Sequence, residues 1–163
     1  MEVVDGRADI DDVGEFVAQL DAIGDEHGVT VQAFDARYVV DRAHLERTVE
    51  LAERARERGE TIADDFGVEI LLYAAGRRQI NRALAMGVSE GKCPVVAVVV
   101  GEGDREAAAA DLRDLLIPAE TLGAYDEERV REFFDVTDTE LAATEGTLAD
   151  AVRERVALLP VEK

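Results

Sequence analysis

Residues Val95 to Val100 form an unbroken apolar run between Pro94 and Gly101. A half-solvated strand would alternate polar and apolar residues. A run without alternation predicts a strand buried on both faces. Such a strand needs cover on each side, and the rest of the chain supplies helical patterns to provide it. Apolar positions Val13, Phe16, Val17, Leu20 and Ile23 predict a helix over 11–26, stopped by Gly28. Asp41 caps a helix predicted to reach Arg58, with Leu45, Val49, Ala52 and Ala55 on one stripe. Further helices are predicted over 66–75, 77–86, 104–116, 126–134, 137–143 and 147–159. Short strands are predicted over 2–5 and 29–34. The expected fold is α+β: a small mixed β-sheet covered by several α-helices, one domain spanning residues 1–163.

Charge is the second constraint. The chain carries a formal net charge of -19, and only two of its 18 basic residues, Lys92 and Lys163, are lysines. Abundant carboxylates with few lysines fit a protein that works in high salt, where self-repulsion is screened. The acid is unevenly spread. Residues 36–92 hold ten basic and ten acidic residues, whereas the other 106 hold eight and 27. Between Glu69 and Glu90 there is no carboxylate, yet Arg77, Arg78 and Arg82 lie there.

Most chemistries find no support. One cysteine, Cys93, excludes an internal disulfide framework and reads as a small core residue rather than a nucleophile. His27 and His44 show no metal-ligand spacing, so no metal and no cofactor are expected. His44 reads as a helix-surface or interface histidine, ahead of a general base. Gly101 and Gly103 imitate a dinucleotide turn, but the third glycine is missing and Asp104 and Glu106 would repel a pyrophosphate. No catalytic residue is assigned. The acidic N-terminus lacks a basic leader, and no apolar run approaches membrane-spanning length, so a cytoplasmic protein is expected.

The segment Thr61–Val88 offers one candidate site. A helix ending at Gly76, with another starting at Arg77, would expose backbone donors beside two guanidinium groups, a setting that favours phosphate. Gln79 can donate to and accept from a base edge, Tyr73 can stack a base, and Ile80 can support it. The alternative is a plain helical corner, with Tyr73 and Ile80 in the core and the arginines solvated.

Several elements in this region carry a family resemblance. Asp35-Ala36 is followed by a helix bearing His44-Leu45, then by Ile62-Ala63. Glu69-Ile70-Leu71 and Tyr73 come next, then Gly76-x-Arg78-Gln79-Ile80, Ala83-Leu84 and Gly87-Val88. In these the chain resembles the small, kinase-binding subunit of the KEOPS complex, here with the acidic surface of a haloarchaeon-like source. That complex places a threonylcarbamoyl group on tRNA. The resemblance implies a non-catalytic subunit that binds the kinase-like ATPase subunit and recruits tRNA through its 3′ CCA end. It implies RNA contacts at Tyr73, Gly76, Arg77, Arg78, Gln79 and Ile80, with Arg37 and Arg58 as further phosphate contacts. The kinase-like partner is expected on the C-terminal helix at Leu148, Val152, Val156 and Leu159, a stripe that also reads as core. The alternative function is a purely structural adaptor and activator without RNA contact.

Overall fold

The computed structural model describes residues 1–143 and 146–162. In chain order its elements are β1 (Glu2–Ile10), α1 (Val13–His27), β2 (Thr30–Asp35), a 3-10 turn (Ala36–Tyr38) and α2 (Arg42–Glu57). They continue with α3 (Phe66–Ala75), α4 (Ile80–Ala83), a second 3-10 turn (Leu84–Met86) and β3 (Gly91–Val100). The chain then forms α5 (Arg105–Leu115), α6 (Glu127–Phe133), α7 (Asp138–Ala143) and α8 (Leu148–Glu162).

The apolar run is the middle strand of a three-stranded sheet ordered β1-β3-β2. Val96, Val98 and Val100 face one apolar cluster, built with residues of α2, α3, α6 and α8. Val95, Ala97 and Val99 face a second cluster, built with α1 and α5. The strand is therefore buried on both faces, as its composition predicts. The fold is α+β. Both pairings are antiparallel, with Gly6 opposite Val95 and Ala33 opposite Ala97, so the sheet is antiparallel rather than mixed. The long helical excursion between β2 and β3 lets β3 return between the two outer strands, in the opposite sense to both.

β1 is longer than the predicted 2–5. Asp5, Gly6, Arg7 and Asp9 hide its pattern, although Val4, Gly6, Ala8 and Ile10 alternate inward. A side chain at Gly6 would stand 2.8 Å from the Ile117 carbonyl, which bonds the Arg7 backbone at the sheet edge.

Local signals fix most helix ends. Asp12, Asp41 and Asp65 each accept a backbone N–H in the first turn of α1, α2 and α3. Gly28 and Gly76 close α1 and α3 in the left-handed conformation. Among the described residues, no helix is long and apolar enough to cross a membrane.

Candidate nucleic-acid interface

Helix α3 is apolar on every side, and Glu69 to Ala75 are all buried within it. Glu69 is fully buried and accepts the backbone N–H groups of Ile62 and Ala63 at 2.9 and 2.8 Å. The Ile62-Ala63 and Glu69 elements are thus one structural unit that holds the α2–α3 loop. At the other end Gly76 has φ 61°, its N–H bonds Tyr73 O, and Arg77 N–H bonds Leu72 O. This paired closure turns the chain sharply away from the helix.

The chain then surfaces. Arg78, Gln79 and Ile80 are exposed, and α4 is a single turn over Ile80–Ala83. Buried Ala83 and Met86 anchor this segment, while Ile80 and Leu84 stand outward, 45% and 57% exposed. Arg82 is exposed between them. The result is an outward patch of two aliphatic side chains with Arg78, Gln79 and Arg82. Gln79 makes no capping bond with its side chain. Arg82 also lines a groove of about 580 Å³ with Tyr38, Phe133, Arg129, Asp126, Glu128 and Glu132. Tyr38 and Phe133 pack edge to face at 5.5 Å there.

Several sequence-predicted site residues lie elsewhere or are already engaged. Tyr73 is 1% exposed, so its ring is core and is not presented to a base. The second helix begins at Ile80, not at Arg77, and its four residues align too few peptide dipoles to favour phosphate strongly. Arg77 folds back: its guanidinium donates to the Phe133 carbonyl, lies 3.4 Å from Asp135 and sits 5.3 Å from the Phe133 ring centre. Arg37 forks onto the buried Asp35 at 3.0 and 2.8 Å, a pairing that raises its pKa. Arg58 is exposed at the C-terminal end of α2. The His44 ring, near the start of α2, bonds Ala74 O near the end of α3, so the two helices run antiparallel. Arg58 therefore sits at the far end of α3 from Gly76, about 15 Å away for a ten-residue helix. The structure brings Arg78, Gln79 and Ile80 together, and adds Arg82 and Leu84. The spacing of Ile80 and Leu84, one helical turn apart, is the signal that could have found Leu84.

The other candidate chemistries resolve into structure. His44 is fully buried, not a surface or interface residue. Its Nδ1 accepts from Val40 N–H at 3.4 Å, so Nε2 is the nitrogen that donates to Ala74 O, at 2.8 Å. Burial holds its pKa below the ordinary value, and the neutral ring is structural. Cys93 is buried, and burial pushes its thiol up. A side chain at Gly103 would strike the His27 carbonyl at 2.1 Å, so this glycine serves close packing. Asp104 occupies the start of α5 by capping Ala107 N–H, where a pyrophosphate would have to sit. Among the described residues Glu26, His27 and Asp111 bring potential metal-ligand atoms within 4.8 Å of one another. The 2.7 Å hydrogen bond between His27 Nε2 and Asp111 accounts for that approach.

The sequence matches the model of the family described as kinase binding protein CGI-121 over residues 8–159. The chain belongs to this family. No curated protein matches it.

The stripe expected to meet the partner lies on α8. Leu148, Val152, Val156 and Leu159 are buried, 7% exposed at most, within the cluster shared with α2 and α3. They pack into this chain's own core. Among the described residues of α8, Asp150, Glu154, Leu158 and Pro160 are exposed. Arg153 ties the helix to α2 by pairing with Asp41 and to its own first turn by pairing with Asp150.

Proposed function

We propose that this chain is a non-catalytic subunit of the KEOPS tRNA-modification complex. It binds the kinase-like ATPase subunit and recruits tRNA through the single-stranded 3′ CCA end. The observation that carries the reading is the exposed patch Arg78, Gln79, Ile80, Arg82 and Leu84, which stands in a stretch without carboxylates on an otherwise acidic chain. Arginines position a strand by its phosphates, the Gln79 amide reads a base edge, and aliphatic side chains cover the base faces. Membership of a kinase-binding family supports the protein partner, for which the outward strip of α8 at Asp150, Glu154 and Leu158 is the proposed docking face.

A specific observation favours a second reading, an adaptor and activator without RNA contact. The groove beside Arg82 carries three carboxylates, Asp126, Glu128 and Glu132, against two arginines. That balance repels phosphate. Gel-shift titration with intact and CCA-trimmed tRNA, at several salt concentrations, separates the two. Retention of intact tRNA alone supports the clamp. Equal binding of both forms refutes the CCA contact, and absence of binding at every salt concentration favours the adaptor.

A further inference from the structure

We infer that Arg155, on α8, is a positioning residue for the exposed segment Arg78–Leu84, acting through Gly76 and through the corner between α6 and α7. The RNA part of this inference rests on the proposed function, whereas the mechanical part stands on geometry alone.

Helix α6 ends with carbonyls that need donors. Two arginines distant in sequence supply them. Arg77 donates to Phe133 O. Arg155 donates Nε to Phe134 O at 2.6 Å and Nη2 to Asp135 O at 3.2 Å. The same guanidinium forks onto Glu140 of α7 at 2.9 and 2.8 Å. Asp135 is the one described non-glycine residue with positive φ, 55°. That conformation is costly for a residue with a Cβ and persists because its surroundings hold it. Arg77 reaches the Asp135 side chain, and Arg155 bonds its carbonyl.

The backbone of Arg155 completes the arrangement. The space where Gly76 would carry a Cβ is bounded by Arg155 O and C at 3.2 and 3.3 Å. The contacts close into a ring: Gly76 and Arg77, the corner Phe133–Asp135, Arg155, and back to Gly76. The exposed segment leaves the protein directly from this ring. Beyond it, Ala83 and Met86 are buried and anchor the segment in the core. The ring therefore sets the direction in which Arg78, Gln79 and Ile80 emerge. The bonds to the Phe133, Phe134 and Asp135 carbonyls run from guanidinium to a neutral acceptor at contact distance, so they persist where salt shortens the Debye length to about 3 Å.

The test uses the full chain with Arg155→Ala and Arg155→Lys. Amide exchange is followed at Gly76 and Arg77 and in β3, together with affinity for a single-stranded RNA ending in CCA. The expected result is exchange about tenfold faster at Gly76 and Arg77, whose amides bond Tyr73 O and Leu72 O, with β3 unchanged, and RNA affinity about tenfold weaker. Lysine should fail to restore either, because one ammonium cannot span two carbonyls and Glu140. On an Arg78→Ala background, Arg155→Ala should add little further loss of RNA affinity. Unchanged exchange at Gly76 and Arg77 overturns the inference, and so does exchange that rises equally in β3. Fully additive losses of affinity overturn it as well. If Arg155→Ala fails to fold, Glu140→Gln loosens the guanidinium while leaving the Gly76 contact, and a smaller rise confined to Gly76 and Arg77 is expected. If the unaltered protein binds no RNA, the proposed function falls, and the exchange comparison still decides whether Arg155 positions the segment.

Discussion

Gly76 stands so close to Arg155 that a Cβ at position 76 would lie 3.2 Å from the Arg155 carbonyl oxygen. Two demands meet at this position: φ is 61°, and a neighbouring helix backbone fills the side-chain space. Gly76→Ala is therefore expected to lose about 1–2 kcal/mol of stability from the left-handed backbone alone, with the close approach adding to it. Urea unfolding monitored by circular dichroism measures the loss. A change below about 0.3 kcal/mol would mean that α8 withdraws easily from the glycine.

The buried stripe of α8 makes a second expectation. Leu159 is fully buried, whereas Leu158 is 43% exposed. Leu159→Ala should cost about 2–5 kcal/mol in urea unfolding, as for a large core side chain. Leu158→Glu should leave stability within about 0.5 kcal/mol and instead reduce co-purification with the kinase-like subunit. The reverse pattern would return the partner surface to the stripe.

How much was legible in the sequence follows from how local each signal is. The β3 run, the Asp41 cap and the stops at Gly28 and Gly76 are local, and the structure keeps them at or near the predicted places. The length of β1 was hidden because Gly6 answers to Leu116 and Ile117, more than a hundred residues away. The fate of Tyr73 was hidden for another reason. Helix α3 is buried all round, so periodicity marks no outward face on which to place the ring. The α8 stripe shows the limit of pattern reading: helical spacing identifies an apolar face but not what covers it. Within the candidate site, Arg78 to Ile80 are exposed, which the left-handed stop at Gly76 makes legible because it ends the buried helix there. Arg77 was misplaced because its partner Phe133 lies 56 residues downstream.

The two histidines should give pH effects of opposite sign. Hydrogen bonding to Asp111, with Glu26 and Asp104 nearby, raises the pKa of His27 against the opposing effect of desolvation. A folded-state pKa above the unfolded value stabilises the fold below about pH 6.5 and loses that contribution as pH rises through the folded pKa. Burial lowers the pKa of His44. Its unfolded form takes up a proton first, so stability falls as pH drops below about 6.5. His27→Gln should therefore cost more stability at pH 6 than at pH 8. NMR titration of the two rings checks the assignment. A His27 pKa at or below that of a free imidazole would refute the Asp111 clasp.

The ionic and apolar parts of the candidate interface separate by salt. Each phosphate neutralised on a single strand contributes a slope of about −0.7 to log K against log salt. Arg78 and Arg82 are the exposed cations of the segment, so a slope near −1.4 is expected for the strand end. Arg82→Gln should weaken binding and flatten the slope by about 0.7. Ile80→Ser should weaken binding and leave the slope unchanged, because an aliphatic side chain releases no counterions. Affinity for a short RNA ending in CCA, measured from low to molar salt, reads both quantities. If Arg82→Gln leaves the slope intact, Arg82 answers to the carboxylates of its groove and the phosphate contact rests with Arg78. If Ile80→Ser has no effect at any salt concentration, the aliphatic patch does not cover a base.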